Sequence, residues 1–327
     1  MDFTQYNDVV QQWIQQIMQN RETNAELTLK YANDIIEYGQ KNDDCKLMGI
    51  GYYYSGEIYY GLNDGEHFFE TMNKALSYLN QAEEWDLMTR CYNYMGIAAL
   101  NRGNIPIALD YYLNGLNYCE TYHFSNQSIV FNVNLGVLYY ECGRYADAQE
   151  TLEKAYDLMM KNPIREQYDT YMFCIYSNLA RALAQQGKLD RVKEIIERVH
   201  KDHWDGGQVL DKVSFSCVEV LYYHRMGMEK ERDEKIRLIM EMIPENLSVL
   251  DSFFDFYDCC RVLLEAGKDE AFWHIVDILE PLVRNFNITN LSFSEEYSKA
   301  IEDKQVAEQK LEKAKLRRNL ILDLMNK

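Results

Sequence analysis

His200 and His203 stand three residues apart beside Asp202 and Trp204, and two imidazoles at that spacing could share a helix face and hold a metal ion. No cysteine lies at ligand spacing and only one carboxylate adjoins them, so the segment reads as a solvated loop, and no metal site or cofactor is expected. The remaining histidines, His67, His123, His224 and His274, are isolated and read as structural. Carboxylate pairs such as Glu83–Glu84 and Glu295–Glu296 read as solvated faces. The chain has no GxSxG, no HExxH and no Ser/His/Asp ordering. Its glycines lie about forty residues apart, not in a phosphate-cradling cluster. The eight cysteines are scattered without a CxxC, the pattern of reduced thiols in a cytoplasmic protein rather than a disulfide frame. No catalytic residues are assigned, and enzyme activity is not expected.

The elements that would position any binding residues are set by internal repetition. Gly56, Gly96, Gly136, Ala180, Val220 and Cys260 recur at spacings of 40, 40, 44, 40 and 40. Seven residues after each comes Asn63, Gly103, Gly143, Gly187, Gly227 or Gly267, residue types that tolerate a left-handed backbone at a helix end. Beyond the turn, Tyr112, Leu152, Ile196, Ile236 and Val276 share a large slot. Offsets of three, four and seven between such slots are the stripe of an amphipathic helix. Each unit therefore reads as a helix, a tight turn and a second helix. Residues 1–46 read as one more helical pair, with Val9, Trp13, Ile14 and Ile17 before a break at Asn20–Asn24, and Leu27, Tyr31, Ile35 and Ile36 after it. Such a pair would cap a stack in which each repeat is stable only against its neighbours.

The runs MGIAALNRGNIPIALDYYLNGLNYC and LGVLYYECGRYADAQETLEKAY resemble tetratricopeptide (TPR) repeats. The resemblance erodes in the last two units, where Glu219, Arg232 and Cys260 depart from the pattern and the terminal proline survives only as Pro244. It implies an all-α, right-handed superhelical solenoid of about six helix-turn-helix units over residues 47–290. It also implies that the first helix of each unit lines a concave groove. The positions so implied are Tyr53, Tyr54 and Glu57, then Arg90, Asn93, Tyr94 and Asn101, then Asn134, Asn178 and Arg181, and finally Asp258 and Arg261. Asn134 and Asn178 hold the same slot in adjacent units, and an amide both donates to and accepts from a peptide backbone. Tyrosine adds area and a hydroxyl at low entropic cost. The groove lacks the paired lysines with which some TPR modules clamp a carboxylate terminus, which disfavours such a ligand.

Residues 1–291, through GEIYYGLNDGEHFFETMNKALSYLNQAEEWD and ILEPLVRNFNITNL, are similar to the N-terminal TPR regions of bacterial GGDEF-type signalling proteins, although no GGDEF motif follows. The stretch ITNLSFSEEYSKAIEDKQVAEQKLEKAK is similar to the helical region of prohibitin-like (SPFH) proteins. Residues 291–327 contain neither glycine nor proline and read as one long helix, either a coiled coil that assembles a homo-oligomer or a helix docked on the last repeat. These resemblances imply a scaffold or sensor module that binds a protein or peptide. Two alternatives stand beside it: a receptor for a small signalling peptide without a DNA-binding domain, and a structural oligomer. Quorum-type peptide receptors also use degenerate forty-residue TPR units, but those that act as transcription factors carry a helix-turn-helix, for which residues 1–45 are too short and too acidic.

Composition is consistent with all three. The 327 residues carry a net charge of −18, with 47% hydrophobic and 26% charged residues, only 4 Pro and as many as 26 Tyr. That supports a helical core and argues against a nucleic-acid surface, which needs clustered Lys/Arg. Residues 288–327 hold eight Lys/Arg against seven Asp/Glu, so the acidity belongs to residues 1–287, at −19. A basic or neutral partner is the expectation. No apolar run is long enough to span a membrane, and the opening MDFTQYNDVVQQWIQQ lacks the basic-then-apolar pattern of a secretory leader, so a cytoplasmic location is expected.

Overall fold

The computed structural model describes residues 6–62, 64–162, 169–243 and 253–286, and among them the only long elements are helices. A terminal pair, α1 (Asp8–Asn20) and α2 (Ala25–Lys41), is followed by six helix-turn-helix units. These are α3 (Cys45–Gly61) with α4 (Gly65–Gln81), α5 (Trp85–Asn101) with α6 (Ile105–Tyr122), and α7 (Ser125–Glu141) with α8 (Tyr145–Met160). Then come α9 (Asp169–Gln185) with α10 (Leu189–Asp202), α11 (Val209–Arg225) with α12 (Glu229–Met242), and α13 (Phe253–Glu265) with α14 (Asp269–Phe286). The expected boundary at residue 46 falls in the first turn of α3, and α2 packs directly on α3. The expected helix at 291–327, Asn63 and Pro244 lie outside the described residues.

The repeated glycines act as the sequence predicts. Gly103, Gly143, Gly187, Gly227 and Gly267 all adopt φ between 66° and 73°, the left-handed region that ends the first helix of a unit at no steric cost. The turns between units use Asp43, Glu83 and His123 at φ 51°, 56° and 61°, which the glycine periodicity did not mark. N-caps fix the early helices: Asn7, Asn24, Asp44 and Asp64 each accept a bond from the backbone N–H three residues on, at 3.0–3.1 Å.

The small slot meets the large slot within a unit. A methyl group built on Gly96 would stand 2.2 Å from the ring of Tyr112, and one on Gly136 would stand 2.5 Å from Leu152. The helices can approach this closely only because the side chain is missing on one side. The same device joins successive units, where Gly115 on α6 receives the ring of Phe131 on α7.

The two helices of a unit differ in burial. In α4 only Phe68, Met72, Ala75 and Leu79 are buried, a single stripe, whereas α3 is buried on nearly all sides, with Leu47, Ile50, Tyr53, Tyr54 and Ile58 among its core residues. Each odd-numbered helix from α3 to α13 also touches the next odd-numbered one, so these helices form one continuous inner layer. That layer supplies the functional surface.

Candidate functional site

The inner layer opens into a cavity of about 420 Å³ in the N-terminal half of the stack. Its walls come from Arg21 at the end of α1, Tyr53 and Glu57 on α3, and Thr89, Arg90, Asn93 and Tyr94 on α5. Asn126, Gln127 and Phe131 on α7, Met159 and Asn162 at the end of α8, and Tyr171 on α9 complete it. A volume of this size suits a small ligand or a few residues of an extended chain.

Five of the sequence-predicted groove residues meet here: Tyr53, Glu57, Arg90, Asn93 and Tyr94. The Tyr94 hydroxyl donates to Glu57 Oε1 at 2.8 Å, and Arg21 Nη1 stands 3.6 Å from the same oxygen. Arg90 Nε donates to Asp86 at 3.2 Å, and the Gln127 amide donates to the other oxygen of Asp86. Asn134, on α7, lies outside the cavity lining but donates from Nδ2 to Asn93 Oδ1 at 2.6 Å. A second amide pair, Asn162 to Asn126 at 2.7 Å, closes the far wall. The rings of Tyr53 and Tyr94 lie edge to face at 6.4 Å and give the cavity an aromatic floor.

Other predicted residues are placed differently. Tyr54 is 1% exposed and its hydroxyl reaches Met18 Sδ, so it lies beneath the cavity. Asn101 is buried at the far end of α5, beside Tyr60, Phe68 and Arg102. Asn178, Arg181 and Asp258 are spent on one another in a buried network. Arg181 Nε donates to Asp258 at 2.7 Å and its Nη1 to Asn178 at 3.1 Å, with the guanidinium 4.2 Å from the centre of the Tyr140 ring. The Tyr140 hydroxyl donates to the same Asp258 oxygen at 2.7 Å, joining α7 to α13 across 118 residues of sequence. Gln185 donates to Tyr140, and Arg225 donates to Gln185, at 2.9 and 2.6 Å. This network fills the inner face where α7, α9 and α13 meet, whereas the larger opening lies toward the N-terminus. Arg261 borders a smaller pocket of about 210 Å³ with His224, Arg225 and Glu265.

Sequence reasoning missed Arg21, Asn126, Gln127, Asn162 and Tyr171. The first belongs to the terminal pair and Asn162 follows an outer helix, so neither shares an offset from the small slot. Asn126 and Gln127 lie ten and nine residues before Gly136, in the first turn of α7, further from the slot than the positions considered.

The histidine cluster requires a correction. His200 lies within the last turn of α10 and His203 caps it, rather than occupying a solvated loop. His200 Nε2 stands 2.9 Å from Glu219, a buried carboxylate that Lys235 also approaches to 2.7 Å, and the His200 ring is 4.3 Å from that of Trp204. Among the described residues no group of three or more His, Cys, Asp or Glu is arranged to hold a metal ion. None of the eight cysteines is in a disulfide; five are buried and Cys142 is exposed.

Burial pushes the Tyr54 phenol up to about 12, with Glu57 adding to the rise and Arg21 and Arg90 opposing it. Burial is also the first cause of the raised Tyr53, Tyr94 and Tyr140 phenols. In the unfolded chain these groups ionise near 10. Their contributions to stability are therefore complete below about pH 10 and fall as pH rises above it, that of Tyr54 being lost through about 12. Alkaline titration is expected to release tyrosinate absorbance together with loss of far-ultraviolet dichroism. Smooth titration of every tyrosine while the helices persist would contradict the placement of these rings.

Tetratricopeptide-repeat family models match residues 130–158 and residues 175–198. These segments span most of α7 with α8 and most of α9 with α10, so the chain carries tetratricopeptide repeats within an all-helical array. No curated protein matches the chain. Among solved structures, the crystal structure of a Rap protein complexed with competence and sporulation factor matches with a TM-score of 0.64. The identity is 14%, over 84% of this chain and 74% of that one. The likeness extends through most of the array, and the fold is TPR-like. Among the described residues no helix is long and apolar enough to cross a membrane.

Proposed function

We propose that this chain is a non-enzymatic TPR scaffold that binds a protein or peptide segment in the cavity between α3, α5 and α7. The observation that carries the reading is the Asn93–Asn134 pair. Asn134 gives one donor to Asn93, which leaves the Asn93 Nδ2 group and the Asn134 Oδ1 atom, neither with a hydrogen bond among the described residues. A donor and an acceptor held side by side on adjacent units match the C=O and N–H of an extended backbone. The tyrosines beneath supply sequence-tolerant contact area. The Rap structure that shares the fold was itself solved in complex with a bound factor, which supports reading the array as a ligand holder.

The terminal pair belongs to the site as well as to the cap, because α1 contributes Arg21 to the cavity wall. A role in bacterial signalling, implied by the GGDEF-type resemblance of residues 1–291, is the finer part of this reading; a GGDEF or phosphatase gene beside this one would support it. The receptor alternative uses the same cavity and differs only in the length of its ligand.

The test is retention of a mixed-sequence synthetic hexapeptide library on the immobilised full chain. Asn93→Ala combined with Asn134→Ala is expected to weaken retention roughly tenfold or more, the effect of losing two backbone hydrogen bonds. Asn178→Ala should leave it unchanged, since that amide is bound to Cys174 O and Arg181 within α9. Equal retention by the double variant and the wild type would reject the cavity as the site.

A further inference from the structure

The chain is acidic, yet the cavity wall is not. Of the charged residues that line it, Arg21 and Arg90 are cationic and only Glu57 is anionic. The acidity of the repeat body is spread along the whole stack and is screened beyond roughly 8 Å at physiological salt. An occupant therefore meets the local groups. Glu57 is the least exposed of the three: its side chain is 17% exposed, Tyr94 donates to Oε1, and Oε2 is buried without a hydrogen-bond partner among the described residues.

The two arginines are both exposed and under-used. The side chains of Arg21 and Arg90 are 34% and 47% exposed. Arg21 approaches Glu57 and Glu22 only to 3.6 and 3.8 Å, and among the described residues its guanidinium makes no hydrogen bond. Arg90 spends Nε on Asp86 and leaves its terminal nitrogens without a hydrogen bond among the described residues. Both line the one cavity, Arg21 from the end of α1 beside Glu57 and Arg90 from α5. A planar fork of unspent N–H donors matches a carboxylate, and two forks match it better than one.

We propose that the occupant of this cavity presents a carboxylate to Arg21 and Arg90, a chemistry opposite to the basic or neutral partner that net charge alone suggests. The inference rests on the cavity being the peptide site and names what that peptide carries there. The carboxylate comes either from the C-terminus of a short peptide or from an Asp or Glu side chain. The arginine forks supply what the absent lysine pair would otherwise provide.

Four synthetic hexapeptide libraries separate the sources: free-acid and C-terminally amidated, each made with and without Asp and Glu. They are passed over the wild-type full chain and over Arg21→Gln, Arg90→Gln and both Arg→Lys variants, with folding checked by circular dichroism. Retention of free-acid peptides and loss of their amidated twins assigns the carboxylate to the C-terminus. Retention that instead follows Asp and Glu in either form assigns it to a side chain. In both cases each Gln variant is expected to bind about ten- to a hundredfold more weakly, and the Lys variants to fall between. If the wild type and the Gln variants retain amidated, acid-free peptides equally, the carboxylate assignment is overturned while the cavity remains a peptide site. If the wild type retains no library, the cavity reading falls and this inference with it.

Discussion

Asp258→Ala is expected to lower folding stability by about 3–5 kcal/mol, the usual cost of removing one member of a buried ion pair. Asp258 and Arg181 are 3% and 1% exposed, and Asp258 accepts from both Arg181 and Tyr140 at 2.7 Å. Without that carboxylate the buried Arg181 guanidinium stays in the interior and loses its 2.7 Å hydrogen bond. Two comparison variants separate the contributions. Tyr140→Phe removes a hydroxyl that donates to Asp258 and accepts from Gln185, and is expected to cost about 1–3 kcal/mol. The pair Arg181→Met with Asp258→Leu removes both charges together and should recover most of the loss, since buried ion pairs are often matched by apolar residues of similar volume. Urea unfolding followed by circular dichroism measures all three. A cost below about 1 kcal/mol for Asp258→Ala would mean the pair is open to water.

The second large effect is expected at Gly115. An alanine there would place its methyl 2.1 Å from Phe131, which is 1% exposed. Phe131 cannot retreat easily, because its ring packs edge to face on Tyr112 at 6.4 Å, and Tyr112 itself fills the space above Gly96. Overpacking of this kind costs about 1–3 kcal/mol, and a chain of two ring-on-glycine contacts places Gly115→Ala near the upper figure. Phe131→Leu shortens the opposing side chain, so Gly115→Ala should be much better tolerated in that background. A double-mutant cycle is expected to show a favourable coupling of about 0.5–3 kcal/mol. Additive losses would mean that the two positions do not share the contact.

Much of the architecture was legible before any coordinates. A forty-residue recurrence of small residues, each followed seven residues later by a turn former, specifies a helix pair, and the left-handed glycines from Gly103 to Gly267 confirm five of these turns. The site was only half legible, for a geometric reason. Periodicity reports which residues of adjacent units are neighbours, but small rotations between units accumulate into curvature that no single offset encodes. Curvature decides whether inner side chains face open space, as Asn93 and Arg90 do, or meet residues from distant units, as Tyr140 meets Asp258. The same accumulation brings Arg21 of the terminal pair to the cavity, although nothing in its sequence neighbourhood marks it. Of the two amides that share a slot, Asn134 bonds to Asn93 beside the cavity, whereas Asn178 is held by its own helix and by Arg181.

The bond between Tyr140 and Asp258 also bears on how the array comes apart. A stack whose units touch only their neighbours can fray from an end, one unit at a time, with each loss costing a single interface. The α7–α13 link spans units three to six and closes a loop of 118 residues, so peeling off the last unit also breaks a contact made with the third. Units three to six are therefore expected to open as one cooperative block, with amides of α7 and α13 exchanging at a common rate. The cavity straddles the edge of that block: Tyr53, Glu57, Arg90 and Asn93 come from units before it, whereas Asn126, Gln127, Phe131 and Tyr171 belong to it, so an occupant touches both.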